Sequence, residues 1–361
     1  MIIIFILISF ITSCVCGLVT TPIIMDYCQK RGLYDIPNIR KVHKTKVPRL
    51  GGVAFLPCVL IGSLVASVVM LANGVETITL SLWTVYFMLG LTMIYIIGLI
   101  DDILGVRALN KLIIQLIAAT MLPLSGLYIN NLQGLFGVYE IPFYIGAPLT
   151  VLVVSFVSNS INLIDGIDGL SASLSIIALI GFLFGFLDWG LQTFAIGIAA
   201  LVGVLVAFLY FNLLGKVERN RKIFMGDTGS LTLGFLLSFL SLKLSMVNLH
   251  LPPFHGNGLL ISITLLLIPV LDAVRVAAAR IWHHRPPMSP DKTHIHHKLM
   301  SVGLSQHQAL LVIIGLTLFF ILLNWLLSLI VDINVIVLID IVVYALLFVL
   351  IAHLPKHQQA Q

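Results

Sequence analysis

Charge is scarce in this chain: only 10% of its 361 residues are Asp, Glu, Lys or Arg. A soluble domain carries roughly a quarter, so none of any size is accommodated here. Cysteine is also sparse. Cys14, Cys16 and Cys58 lie inside apolar segments and Cys28 follows the first of them, which gives no disulfide framework. The chain has no Gly-Lys-Ser/Thr phosphate loop, no internal repeat of the transporter kind, and no low-complexity tract beyond a polar C-terminal tail. No Lys or Arg precedes Lys30, so the first apolar segment lacks the basic start of a signal peptide and reads as an anchor.

What the sequence does have is apolar length. Hydrophobic residues make up 59% of it and the mean hydropathy is +1.10. Crossing the hydrocarbon takes about 20 apolar residues. Such stretches fall at 1–21, 51–72, 80–100, 112–129, 142–160, 171–187, 191–214, 228–247, 257–279, 308–330 and 333–352. The expectation is an all-α, polytopic integral membrane protein of about eleven transmembrane helices, forming a single domain over 1–361. Two joins rest on length: 171–214 is interrupted only at Asp188-Trp189-Gly190, and 308–352 only around Asp332. Unbroken, each would be a helix of roughly 60 Å, about twice the hydrocarbon thickness.

The net charge of +5 has a topological explanation, which sets nucleic acid aside. With the N-terminus outside and the C-terminus cytoplasmic, 19 of the 20 basic residues fall in inner segments, and only Lys243 does not. The outer loops carry Glu76, Glu140 and Asp188 but no Lys or Arg. Chemistry is therefore expected on the cytoplasmic face.

Asp101 and Asp102 end the third span, where a helix C-terminus is already partly negative, so the pair needs a compensating cation. Neighbouring helical residues diverge by about 100°, so one carboxylate can face a metal while the other faces a second substrate. The plainer reading is a solvated pair just outside the lipid. Lys111 opens the next span on the same side and suits a phosphate, or merely obeys the inner bias of positive charge. Asn159 to Leu170 places Asn162, Asp165 and Asp168 among glycines between the fifth and sixth spans. Their oxygens suit a hard cation such as Mg²⁺, while an Asx-rich turn is the bland alternative. Asp227, in Met225-Gly226-Asp227-Thr228-Gly229-Ser230, sits where an N-cap residue often does. Three acidic clusters on one side of the membrane nevertheless match a phosphate-bound metal site.

The last large inner segment holds five histidines within fifteen residues, His283 to His297. It lacks cysteines and familiar zinc spacing, so His294, His296 and His297 fit contact with pyrophosphate and sugar oxygens better, against interfacial snorkelling. The basic loop from Lys41 to Gly52 mainly answers to anionic lipid, with His43, Arg49 and Gly51-Gly52 set apart as candidates. Asp272 and Arg275, one turn apart, read as a buried pair.

In this order the blocks resemble the polyprenyl-phosphate N-acetylhexosamine-1-phosphate transferase superfamily, over nearly the whole chain. Val47-Pro48-Arg49-Leu50-Gly51-Gly52 and Pro290-Asp291-Lys292-Thr293-His294-Ile295-His296-His297 look like its undecaprenyl-phosphate N-acetylglucosamine-1-phosphate transferase branch. The resemblance implies that Asn162 and Asp227 are Mg²⁺ ligands, with Mn²⁺ as an alternative ion. It likewise implies that Asp101 and Asp102 are the catalytic pair, that Lys111 binds phosphate, and that Asp165, Asp168, His294, His296 and His297 serve the nucleotide sugar. Its implied partners are a UDP-N-acetylhexosamine, undecaprenyl phosphate and membrane lipid, and a homodimer is compatible with it. Its setting is the bacterial cytoplasmic (inner) membrane, at the start of cell-envelope glycan synthesis. The chemistry is attack of a lipid phosphate on the β-phosphorus of the UDP-sugar, with release of UMP. One anhydride replaces another, so no ATP motif is needed, and direct displacement is favoured over an aspartyl intermediate.

The rival is a proton-coupled secondary transporter or lipid flippase. A carrier should hold ionisable residues near mid-membrane. Here they gather at the inner ends, with Asp340 as the mid-span exception.

Overall fold

Each of the eleven apolar stretches contains helix in the computed structural model, which describes residues 2–35, 46–75, 81–217, 220–246, 257–284 and 293–354. The helices are α1 (Ile2–Arg31), α2 (Phe55–Ala72), α3 (Leu82–Leu104), α4 (Ala108–Leu124), α5 (Phe143–Ile164), α6 (Leu170–Asp188) and α7 (Gln192–Leu213). They continue with α8 (Gly226–Ser245), α9 (Gly258–Leu265), α10 (Leu267–Trp282), α11 (Ile295–Ser301), α12 (Gln306–Leu327) and α13 (Ile333–His353). Among the described residues the helices are joined by only one strand pair, β1 (Tyr34–Asp35) and β2 (Val47–Pro48), antiparallel with Tyr34 opposite Pro48.

Among the described residues nine helices are long and apolar enough to cross a membrane alone. The other two expected spans differ from simple rods. α4 has only 17 residues, and the ninth expected span is two helices, α9 and α10, meeting at 66°. Pro269 accounts for the bend, because its ring has no N–H and collides with the carbonyl four residues back, at Leu265, where α9 ends. Both doubtful joins are real breaks. Gly190, at a positive φ of 69°, separates α6 from α7. Asp332 caps α13 by accepting from the N–H groups of Asn334 at 2.8 Å and Val335 at 3.3 Å.

The arrangement is polar-inside. α8 is the least hydropathic of the nine helices yet the most buried, whereas α13 is the most hydropathic and the least buried. Without a hydrophobic drive between helices in lipid, small residues and hydroxyls bring backbones together. α8 follows this rule. Ser158 of α5 donates to Leu231 O at 3.1 Å, and Ser238 of α8 returns a longer bond to Val154 O of α5 at 3.4 Å. A Cβ on Gly98 of α3 would lie 2.6 Å from Thr228 Cα, so this crossing needs glycine.

Asp340 is fully buried in α13, where Asn324 Nδ2 of α12 donates to it at 2.9 Å and also to Thr264 Oγ1 at 2.9 Å. The single mid-span acid is thus part of the packing around the α9–α10 bend.

Candidate active site

The ends of eight helices face a common cavity of about 480 Å³: the C-termini of α3, α5 and α7 and the N-termini of α4, α6, α8, α11 and α12. Asp101, Asp102, Asn162, Asp165, Asp168, Asp227, His297 and Arg49 all line it. Lys111 reaches it from α4 through ion pairs with Asp101 Oδ2, at 3.1 Å, and with Asp227 Oδ2. His43 lies outside the described residues.

The two carboxylates of the Asp101-Asp102 pair do diverge, but into unequal surroundings. Asp101 turns to Lys111 and accepts from the Val106 N–H at 2.5 Å. Asp102 is buried at 4% exposure and crosses to the start of α8. There its Oδ1 accepts from the Asp227 N–H at 2.9 Å, and its Oδ2 from the Thr228 N–H at 2.9 Å and the Thr228 hydroxyl at 2.6 Å. Asp102 is therefore the cap of α8, supplied from another helix, and its charge suits a helix N-terminus. That frees Asp227. The cap position of α8 is Met225, with no side-chain capping bond, and the Asp227 carboxylate instead meets Lys111 and Asn162 Nδ2, the latter at 3.1 Å. Asn162 also donates to Ser230 Oγ at 2.8 Å.

Asp165 lines the cavity half-buried, amid other carboxylates. Burial, reinforced by the charges of Asp227, Asp168 and Asp102, pushes its carboxyl up to about 8. Asp168 has a cation of its own, Lys222 at 2.6 Å. Asn212, a lone amide at the end of α7, donates to Ile223 O at 2.8 Å and accepts from the Gly169 N–H at 2.6 Å, tying the Asp-Gly turn to the strand of chain before α8.

The glycines bring backbone to backbone as well as backbone to cavity. Gly51 and Gly52 N–H groups donate to Phe224 O at 2.9 Å and Met225 O at 2.8 Å. A Cβ at Gly52 would strike the backbone of Gly229. This contact places Arg49 at the cavity wall with an Nε that has no hydrogen-bond partner among the described residues.

The three histidines separate. His297 lines the cavity. His296 is buried at 1% beneath it, packed on Gly166, with neither ring nitrogen hydrogen-bonded among the described residues. Burial first, then its histidine neighbours, lowers it to about 3. His294 points away from the cavity, to Asp272 at 2.7 Å. Sequence reasoning missed Asp35, Asn212, Phe224 and Gln306, which also line the cavity. Of these only Asn212 had a signal, as a polar residue inside an apolar span.

The donor set fits a hard divalent ion of one kind. Among the described residues no three Asp, Glu, His or Cys side chains could cage a metal alone. Mg²⁺, however, is commonly held by one or two carboxylates plus substrate phosphates. Asp227 and Asn162 offer that oxygen chemistry, and the local excess of negative charge, offset by Lys111, is what such an ion neutralises.

Comparison with known proteins finds similar sequences. The sequence profile described as "Glycosyl transferase family 4" matches residues 83–245. The "Probable undecaprenyl-phosphate N-acetylglucosaminyl 1-phosphate transferase" of Bacillus subtilis (strain 168) is 35% identical over 317 residues, 85% of this chain and 81% of that protein. "Undecaprenyl-phosphate alpha-N-acetylglucosaminyl 1-phosphate transferase" of Yersinia pestis is 28% identical, and that of Escherichia coli (strain K12) 29%; each match covers 79% of this chain and 74% of the relative.

Proposed function

Because the chain belongs to the undecaprenyl-phosphate N-acetylglucosaminyl 1-phosphate transferases, within the polyprenyl-phosphate N-acetylhexosamine-1-phosphate transferase superfamily, we propose that it transfers N-acetylglucosamine-1-phosphate from UDP-N-acetylglucosamine to undecaprenyl phosphate. A lipid phosphate oxygen attacks the β-phosphorus, the bond from that phosphorus to the bridging oxygen breaks, and UMP leaves with the electron pair. The observation that carries this reading is the single cavity into which the acidic blocks, Lys111, Arg49 and His297 converge. Its volume of about 480 Å³ suits a ligand of this class.

Asp227 and Asn162 would hold the Mg²⁺, which when bound offsets pyrophosphate charge and steadies departing UMP. Lys111, between Asp101 and Asp227, supplies positive charge to the lipid phosphate. Asp101 orients that phosphate and takes up its proton if one is present. Asp102 keeps α8 and Asp227 in place, and its three hydrogen bonds make it a poor nucleophile, which favours direct displacement. Arg49 and His297 face the nucleotide sugar.

The wider setting belongs to the same proposal: one domain over 1–361, eleven crossings, N-terminus outside, C-terminus inside, and the cavity on the cytoplasmic face of the inner membrane. The 19-to-1 distribution of basic residues supports it, as does the collection of alternate helix ends at one cavity. Purified protein given UDP-N-acetylglucosamine labelled in the sugar should place label in undecaprenyl-linked product and release equimolar UMP, only with divalent cation. Absence of lipid-linked label with both substrates present overturns the reading.

A further inference from the structure

Asp272, outside the cavity, meets four polar partners among the described residues. It is 1% exposed. Its Oδ2 faces His294 Nδ1 at 2.7 Å, while its Oδ1 accepts from Arg275 Nη2 at 2.6 Å, the Ile295 N–H at 3.0 Å and, more weakly, the Tyr344 hydroxyl at 3.4 Å. The donors come from α10, α13 and the segment that begins α11. Arg275 also donates to Thr293 O at 2.7 Å, and its guanidinium lies 3.7 Å from the Phe348 ring centroid.

α13 presents these contacts as a stripe. Asp340, Tyr344 and Phe348 are spaced four apart, hence on one face of the helix. Asp340 serves the α9–α10 bend through Asn324, Tyr344 reaches Asp272, and Phe348 covers Arg275. From the hub the contacts run on to the cavity. The His294 ring stacks on His296 at 5.9 Å, His296 meets His297 at 4.3 Å, and His297 lines the wall. A carboxylate beside Nδ1 keeps a proton on that nitrogen and so fixes the ring's tautomer and orientation.

We propose that Asp272, braced by Arg275, Tyr344 and Phe348, is the positioning residue that holds the histidine segment 293–297 against the cavity and so sets the affinity for the nucleotide sugar. None of the four touches the cavity, and their action passes through His294 and the first turn of α11. The inference rests on the reading of the cavity as a UDP-sugar site. It differs from a plain buried ion pair in one respect: the partners tie a distant segment, where a packing pair would tie only α10 to itself.

Two measurements on the purified full-length protein test it. Hydrogen–deuterium exchange of the peptide over 293–301 reads the order of the segment without any assumption about activity. Steady-state kinetics with each substrate varied in turn read its consequence. Asp272→Asn removes the charge and one acceptor, so exchange over 293–301 should speed up by on the order of tenfold and KM for UDP-N-acetylglucosamine rise by about as much, with KM for the lipid phosphate changed less than about twofold. Tyr344→Phe keeps the packing and loses the weakest bond, and should move both in the same direction by roughly twofold to threefold; it carries the test if Asp272→Asn does not fold. Unchanged exchange in these variants overturns the proposal, as does a fall in kcat with both KM values intact. If the wild type transfers no sugar phosphate, the reading of the cavity falls, while the exchange measurement still decides whether Asp272 orders the segment.

Discussion

Replacing Asp227 by Asn preserves its size but removes the charge that meets Lys111 and faces the cavity. Loss of an anionic ligand to a catalytic cation should lower turnover on the order of 10³-fold, while the capping of α8 by Asp102 persists and the protein still folds. Near-native activity of Asp227→Asn at limiting Mg²⁺, measured by UMP release, contradicts the assignment. His296 makes a different prediction, about stability. Its pKa falls from an ordinary 6.5 to about 3 in the folded protein. Above about 6.5 both states leave it neutral. As pH drops from about 6.5 toward 3 the unfolded chain binds a proton that the folded one refuses, so stability is lost at about 1.4 kcal/mol per pH unit. His296→Phe removes that loss. Its melting temperature in detergent should decline less between pH 7.5 and 5.5 than that of the wild type, and equal declines refute the assignment.

In the proposed assignment, helix contacts divide the side chains between the two substrates. α4 brings Lys111 to the Asp101 side of the cavity, whereas α11 brings His297 to its wall. Lys111→Ala should therefore chiefly weaken use of the lipid phosphate, and His297→Ala should chiefly raise KM for the UDP-sugar; a reversed pattern sinks the division. The Gly51-Gly52 segment acts at the same scale, because its backbone bonds to the chain that opens α8. Gly52→Ala places a methyl group against the Gly229 backbone. The overpacking should cost about 1–3 kcal/mol and lower the melting temperature, which thermal unfolding in detergent measures; no change would show that the two segments part easily.

Across the whole molecule the cavity requires the connections after α3, α5 and α7 to share a side, and the proposed topology puts that side in the cytoplasm. A cysteine at position 222 should resist impermeant reagents in intact cells and react after lysis, while one at position 188 should react in both. Labelling of position 222 in intact cells reverses the orientation. Asp340 belongs here too. Its bond to Asn324 and the packing of α12 and α13 around the α9–α10 bend give the one mid-span acid a structural partner.

Much of this was legible in residue order alone. Apolar length marked the helices, because hydrocarbon thickness fixes how many residues cross it. The grouping of Asp, Asn, Lys and His blocks at one set of helix ends marked the face of the site, because such groups are costly in lipid. Partnership was not legible. Asp102 and Asp227 stand 125 positions apart, and only the packing of α3 on α8 makes the first a helix cap and leaves the second for the cavity. Adjacent histidines read as equivalent, yet one lines the cavity, one is buried under it and one turns to Asp272. The sequence determined which segments are apolar and which chemistry each block carries, since both follow from local composition. The tertiary structure alone decided which carboxylate meets a cation, which meets a helix end and which is buried among like charges, since those outcomes depend on through-space distances that no local pattern encodes.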